Sequence, residues 1–93
     1  MTHYTIRYRS TDPCGRTRLI VDDEQGTAYL FSGGELRLRR EGAEASGRLA
    51  RDLERRARWV RVPTVSPYTL GELRVITAAW TRGEPSSPAR LSG

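Results

Sequence analysis

The chain has 93 residues, a formal net charge of +5 at pH 7 and 37% hydrophobic residues. This length excludes more than one domain, and so modest a core would gain from association into a homo-oligomer. Apolar runs of only a few residues exclude a membrane-spanning helix, and the single cysteine, Cys14, excludes an internal disulfide and favours a reducing cytoplasm.

The first forty residues predict four short β-strands. Residues 4–8 alternate apolar and polar side chains, as in a strand with one buried face. Further strands are predicted over 18–22, 27–32 and 36–39, separated by turns that contain glycine. Connections this short favour an antiparallel meander.

The pattern becomes helical after Gly42. Apolar residues recur at helical spacing and predict an amphipathic helix over 43–58. Its stripe consists of Leu49, Leu53, Ala57 and Val60. Residues 59–62 either extend this helix or form a short strand, because Val60 and Val62 alternate with Trp59 and Arg61.

A second helix is predicted to begin between Ser66 and Thr69. Either Ser66 caps it ahead of Pro67, or Thr69 and Glu72 form a capping box. Its buried stripe would consist of Leu70, Leu73, Ile76 and Trp80. Residues 82–93 are rich in proline, serine and glycine, which predicts a flexible tail after a domain over 1–81.

These elements predict an α+β domain in which a four-stranded antiparallel β-meander is followed by two helices packed on one face of the sheet. Ile20 and Leu30 do not fit an all-polar outer face, so the central hairpin is also a candidate for cover on both sides. This topology does not assign a function, since DNA-binding, RNA-binding and protein-binding domains all use such layouts.

All sixteen basic residues are arginine, and four of them recur along the first predicted helix. A GC-rich genome explains the composition, but codon bias does not choose the face on which arginines lie. A spacing of three and four residues places the four on one face, opposite the leucine stripe. They are Arg48, Arg51, Arg55 and Arg58. Such a row is either a solvated face or a surface that binds phosphate groups.

Two further observations extend this candidate surface. Arg37 and Arg39 are separated by one residue, which predicts two guanidinium groups on one face of a strand. Trp59 follows the helical arginines and is a candidate contact for a partner, although it would turn inward if the chain becomes a strand there.

The sequence offers no group of residues suited to catalysis. His3 has no neighbour that would orient it, and Cys14, between Asp12 and Arg16, has no general base beside it. The acidic residues lack the spacing of a cation-binding loop. The sequence therefore predicts no enzyme, no cofactor and no metal site.

The favoured interpretation is a small non-enzymatic binding or regulatory protein whose arginine-rich helix face contacts an anionic partner. Nucleic acid is favoured over an acidic protein surface, because guanidinium groups pair with phosphate and the whole chain is basic. The alternative is a protein–protein adaptor or accessory subunit that docks through its helices or a sheet edge. Phosphate contacts would make binding strongly salt-dependent, whereas hydrophobic docking would depend little on salt.

Overall fold

A computed structural model describes residues 1–55, 58–63 and 66–81. In chain order its elements are β1 (Thr5–Thr11), β2 (Thr17–Asp22), β3 (Ala28–Ser32), β4 (Glu35–Arg40), α1 (Ala45–Leu53), β5 (Val60–Arg61) and α2 (Leu70–Thr81). An antiparallel meander followed by two helices confirms the predicted α+β fold. The predicted tail, 82–93, lies outside the described residues.

The strands form a single sheet in the order β4-β3-β2-β1-β5, and each neighbouring pair is antiparallel. The β3–β4 connection is a two-residue turn in which Gly33 and Gly34 have φ angles of 62° and 80°. Only glycine adopts such angles without strain, which explains the Gly-Gly pair. The fifth strand is the one that the sequence offered as an alternative to a longer first helix.

The two helices lie on opposite faces of the sheet, which differs from the prediction that they share one face. Leu49 of α1 belongs to a core cluster with Ile20, whereas Leu73 of α2 belongs to a separate cluster with Leu19 and Val21. Neighbouring residues of a strand point to opposite faces, so β2 is buried on both sides. Because the consecutive apolar residues of β2 give each face its own core, each face needs its own helix.

A β-bulge divides the side chains of β1 between the two cores. Ile6 aligns with Val21 and Tyr8 aligns with Ile20, so Arg7 is the extra residue. Ile6 consequently lies in the core beneath α2, and Tyr8 packs against the core beneath α1. The alternation predicted for residues 4–8 is interrupted at Arg7.

A second bulge occurs in the edge strand β4. Tyr29 aligns with Arg39 and Leu30 aligns with Arg37, which leaves Leu38 as the extra residue. Leu38 has a φ of 42°, in the left-handed region, and 47% of it is exposed. Since Tyr29 and Leu30 face opposite ways, Arg37 and Arg39 also lie on opposite faces. The prediction that they share a face is therefore wrong.

Helix α1 is shorter than the predicted span of 43–58. It begins after Glu44, whose backbone is left-handed, and ends with a tight turn in which the Glu54 N–H donates to the Arg51 carbonyl oxygen at 3.3 Å. Farther along the chain, Val60 and Arg61 pair with the edge of β1. Val60, predicted on the buried helical stripe, is 55% exposed.

Helix α2 begins with the capping box. The Thr69 N–H donates to Glu72 Oε1 at 2.9 Å, and the Glu72 N–H donates to Thr69 Oγ1 at 3.2 Å. Leu73, Ile76 and Trp80 are buried as the spacing predicts. Neither described helix has the length and apolar character required to span a membrane.

Candidate nucleic-acid interface

Three arginines from two elements meet around a shallow concavity on the α1 face of the sheet. Arg48 and Arg51 project from α1, and Arg40 is the last residue of β4. Together with Asp52 they line a depression of about 420 Å³. Its described lining thus carries three positive charges and one negative charge, which favours an anion over a neutral or cationic ligand.

The bulge at Leu38 brings Arg40 to this surface. Arg40 aligns with Ala28, which belongs to the core beneath α1. Arg40 Nε lies 3.6 Å from Asp52 Oδ2, and the two side chains are 43% and 58% exposed. An ion pair this open to water contributes little stability and exchanges readily with solvent or a ligand.

A hydrogen bond to the backbone before α1 holds the Arg48 side chain in place. Its guanidinium donates a hydrogen bond to the Glu41 carbonyl oxygen and passes over Gly42. A Cβ on Gly42 would lie 3.0 Å from the guanidinium nitrogen, and the φ of 99° there also disfavours other residues. Gly42 therefore provides both the turn before α1 and the space that Arg48 occupies.

The other arginines of the predicted helical row do not lie on the helix. Arg55 is exposed in the turn after α1, and Arg58 is exposed two residues before β5. The helix ends at Leu53 because the following segment pairs with β1. Of the four arginines, only Arg48 and Arg51 thus share a face of α1.

Arg37 and Arg39 of β4 each form an ion pair with a nearby glutamate. Arg37 donates to the Ser32 carbonyl oxygen at 3.3 Å and pairs with Glu35 at 3.2 Å. Arg39 pairs with Glu41 at 3.0 Å. Neither belongs to the described lining of the concavity. Arg40, which the sequence reasoning did not single out, lines the concavity instead.

A larger cleft of about 570 Å³ lies between α1, β1 and β5 and adjoins the concavity. Arg51 lines both of them. The described charged residues of the cleft are balanced in sign. They are Arg7, Arg51 and Arg61 against Asp22, Glu44 and Glu54. The cleft therefore differs in charge from the concavity beside it.

Trp59 forms one wall of this cleft. It is half-buried and packs against the core beneath α1, and the Arg18 guanidinium lies 5.8 Å from its ring centroid. Its indole N–H is buried without a hydrogen-bond partner among the described residues. Trp59 has thus turned inward, which was the alternative to a freely exposed contact residue, but it still faces a cleft.

The loop that contains Cys14 and the N-terminal segment that contains His3 are held by backbone hydrogen bonds to carboxylates. Asp12 Oδ1 accepts hydrogen bonds from the N–H groups of Cys14 and Arg16, both at 2.9 Å, so this carboxylate shapes the loop. The His3 N–H donates to Glu24 at 3.2 Å. Within residues 1–55, 58–63 and 66–81, no three acidic, histidine or cysteine side chains are grouped so as to hold a metal ion.

No family model, curated protein or solved structure matches the chain significantly.

Proposed function

We propose that this chain is a small, non-enzymatic, cytoplasmic protein that binds nucleic acid through the arginines of its α1 face. The observation that carries the proposal is the meeting of Arg40, Arg48 and Arg51 around one concavity that contains a single described carboxylate, Asp52. Guanidinium groups suit phosphate oxygens because they donate two parallel hydrogen bonds. The net charge of +5 adds attraction at longer range.

The arrangement resembles a binding surface more than a solvated helix face. Arg48 and Arg51 are three residues apart on α1, where like charges destabilise a helix by a few tenths of a kcal/mol, and Arg40 adds a third positive charge. A bound phosphate would relieve this repulsion. The hydrogen bond from Arg48 to Glu41 fixes one guanidinium in advance, so less side-chain entropy is lost on binding.

The test compares two arginines that are adjacent in sequence but lie on opposite faces. Arg40→Gln should weaken binding to DNA and RNA and lower the slope of log Kd against log salt by about 0.7–0.9, the value for one phosphate contact. Arg51→Gln should act similarly. Arg39→Gln removes the same charge from the other face and should have a smaller effect on both quantities.

A second control is Arg16→Gln, in the exposed loop between β1 and β2. The proposal fails if the protein binds no nucleic acid at low salt, or if Arg39→Gln weakens binding as much as Arg40→Gln. Salt-insensitive association with a protein would instead favour the adaptor function. Exposed apolar residues on the two edge strands, Leu38 and Val60, would be its first contacts.

A further inference from the structure

The two depressions on the α1 face differ in the ligand that each favours. The concavity at Arg40 and Arg48 has an excess of positive charge, whereas the charged residues of the adjoining cleft balance. Arg51 lies between them and belongs to both linings. A ligand that fills both depressions therefore joins an anionic group to an uncharged one.

The lining and the volume of the cleft suit an aromatic ring. Tyr8 and Trp59 supply two aromatic walls, and the α1 side is lined by small residues, including Gly47 and Ala50. A Cβ added to Gly47 would lie 3.9 Å from the Tyr8 hydroxyl, so the Tyr8 side chain extends to α1 at this glycine. The volume of about 570 Å³ is within the usual range for small-molecule sites.

Two residues of the lining also offer unused hydrogen-bonding atoms. Asp22 Oδ2 accepts from Arg7 Nε at 2.8 Å, but Asp22 Oδ1 is buried without a partner among the described residues. The same holds for the indole N–H of Trp59. One is an acceptor and the other a donor, and both belong to side chains that line the cleft, where rotamer changes on binding are common.

We propose that the protein binds single-stranded nucleic acid, with a phosphate in the concavity at Arg40, Arg48 and Arg51 and the adjoining unpaired base in the cleft. This inference rests on the proposed function and names its substrate class. An unpaired base is flat, uncharged and able to stack on aromatic side chains, and its edge carries donors and acceptors. A base within a duplex is already stacked and paired, so it would have to lose those interactions before it could enter.

The free carboxylate oxygen of Asp22 further selects among bases. It accepts a hydrogen bond from an exocyclic amino group, which cytosine has and uracil lacks. A carbonyl oxygen in that position would instead face the carboxylate and be repelled. Cytosine-containing strands should therefore bind more tightly than uracil-containing strands of equal length and charge.

The first experiment needs no variant. Binding of the whole chain is measured by fluorescence anisotropy for ten-nucleotide strands of cytidine or uridine, an abasic strand of equal charge, a duplex and cytidine monophosphate. The cytidine strand should bind about tenfold more tightly than the abasic strand, since base stacking on aromatic side chains has an effect of that order. It should also bind more tightly than the other three ligands.

The second experiment tests whether the base binds in the cleft. Trp59→Leu should remove most of the advantage of the cytidine strand over the abasic strand. Asp22→Ala should abolish the preference for cytidine over uridine. Arg7→Gln is its matched control, because it breaks the same Arg7–Asp22 ion pair but keeps the carboxylate. Circular dichroism and cooperative unfolding confirm that each variant is folded.

The outcomes separate the two proposals. If no ligand binds at low salt, the proposed function fails and this inference with it. If cytidine, abasic and duplex ligands bind equally, arginine-mediated nucleic-acid binding stands and the base site in the cleft is refuted. Binding of the monophosphate as tight as that of the cytidine strand would overturn the assignment to a strand.

Discussion

Asp23 organises the β2–β3 hairpin through both of its carboxylate oxygens. Oδ1 accepts from the N–H groups of Gln25 and Thr27 at 2.8 and 3.0 Å, and Oδ2 accepts from the Tyr29 hydroxyl at 3.3 Å. Burial raises the pKa of Tyr29 above its ordinary value of 10.0, and the neighbouring negative charge of Asp23 raises it further. The folded protein therefore favours the neutral phenol more than the unfolded chain does.

This shift predicts how Tyr29→Phe depends on pH. Since the pKa is higher in the folded state, the stability that Tyr29 contributes is fully present below about pH 10 and is lost as the pH rises through the folded value. At pH 7 the variant should be less stable by about 0.5–1.5 kcal/mol, the usual effect of one hydrogen bond. Urea unfolding should show that this difference stays constant up to about pH 10 and shrinks as the pH is raised further. A difference that does not shrink above about pH 10 would contradict the prediction.

Helix α1 illustrates how a secondary-structure element is ended by contacts elsewhere in the fold. Leu49 is 0% exposed in the middle of the helix, whereas Leu53, its last residue, is only partly buried. The two leucines occupy equivalent positions on the predicted stripe, but the chain leaves the helix immediately after the second. Their contributions to stability should consequently differ.

Leu49→Ala should lower the free energy of unfolding by about 2–5 kcal/mol, because it leaves a cavity in the core beneath α1. Leu53→Ala should have roughly half that effect, since part of its side chain already contacts water. Chemical denaturation of the two variants under the same conditions measures the comparison. Equal losses would mean that the helix continues and buries both residues alike.

The elements that the sequence predicts well are those held by local contacts. The capping box joins Thr69 and Glu72, three residues apart, so its spacing is visible in the chain. The end of α1 depends on pairing between Val60 and Arg9; the alternation over 59–62 allows a strand there but does not indicate its partner. The bulge at Leu38 is equally difficult to predict. The alternation of apolar and polar residues in β4 is compatible with a strand that has an extra residue and with one that has none. This is why sequence reasoning found Arg48 and Arg51 but missed Arg40 and the neighbouring cleft.

In the whole molecule, the central strands serve two separate cores. Leu19 and Ile20 are both 0% exposed, one beneath α2 and the other beneath α1. A sheet with both helices on one face would leave one of these neighbours in contact with water. The opposite placement of the helices thus makes consecutive residues equally sensitive to substitution.

We expect Leu19→Ala and Ile20→Ala each to destabilise the protein by about 2–5 kcal/mol, the range for a buried aliphatic residue truncated to alanine. Thermal or urea unfolding of both variants tests the arrangement. A loss below about 1 kcal/mol for either one would place its side chain at the surface. In that case the core described for that face, and the surface of the helix that covers it, would be incorrect.

The extra residue in β4 bears on how related proteins could be recognised. Without Leu38 the ladder would be regular, and Arg37, Arg39 and Arg40 would still align with Leu30, Tyr29 and Ala28. A relative with three consecutive arginines at this place would therefore present the same charges on the same faces as the Arg-Leu-Arg-Arg sequence does here. An alignment that forbids a gap at this position would miss the likeness, because this surface is defined by the register of the strand and not by a fixed spacing of residues.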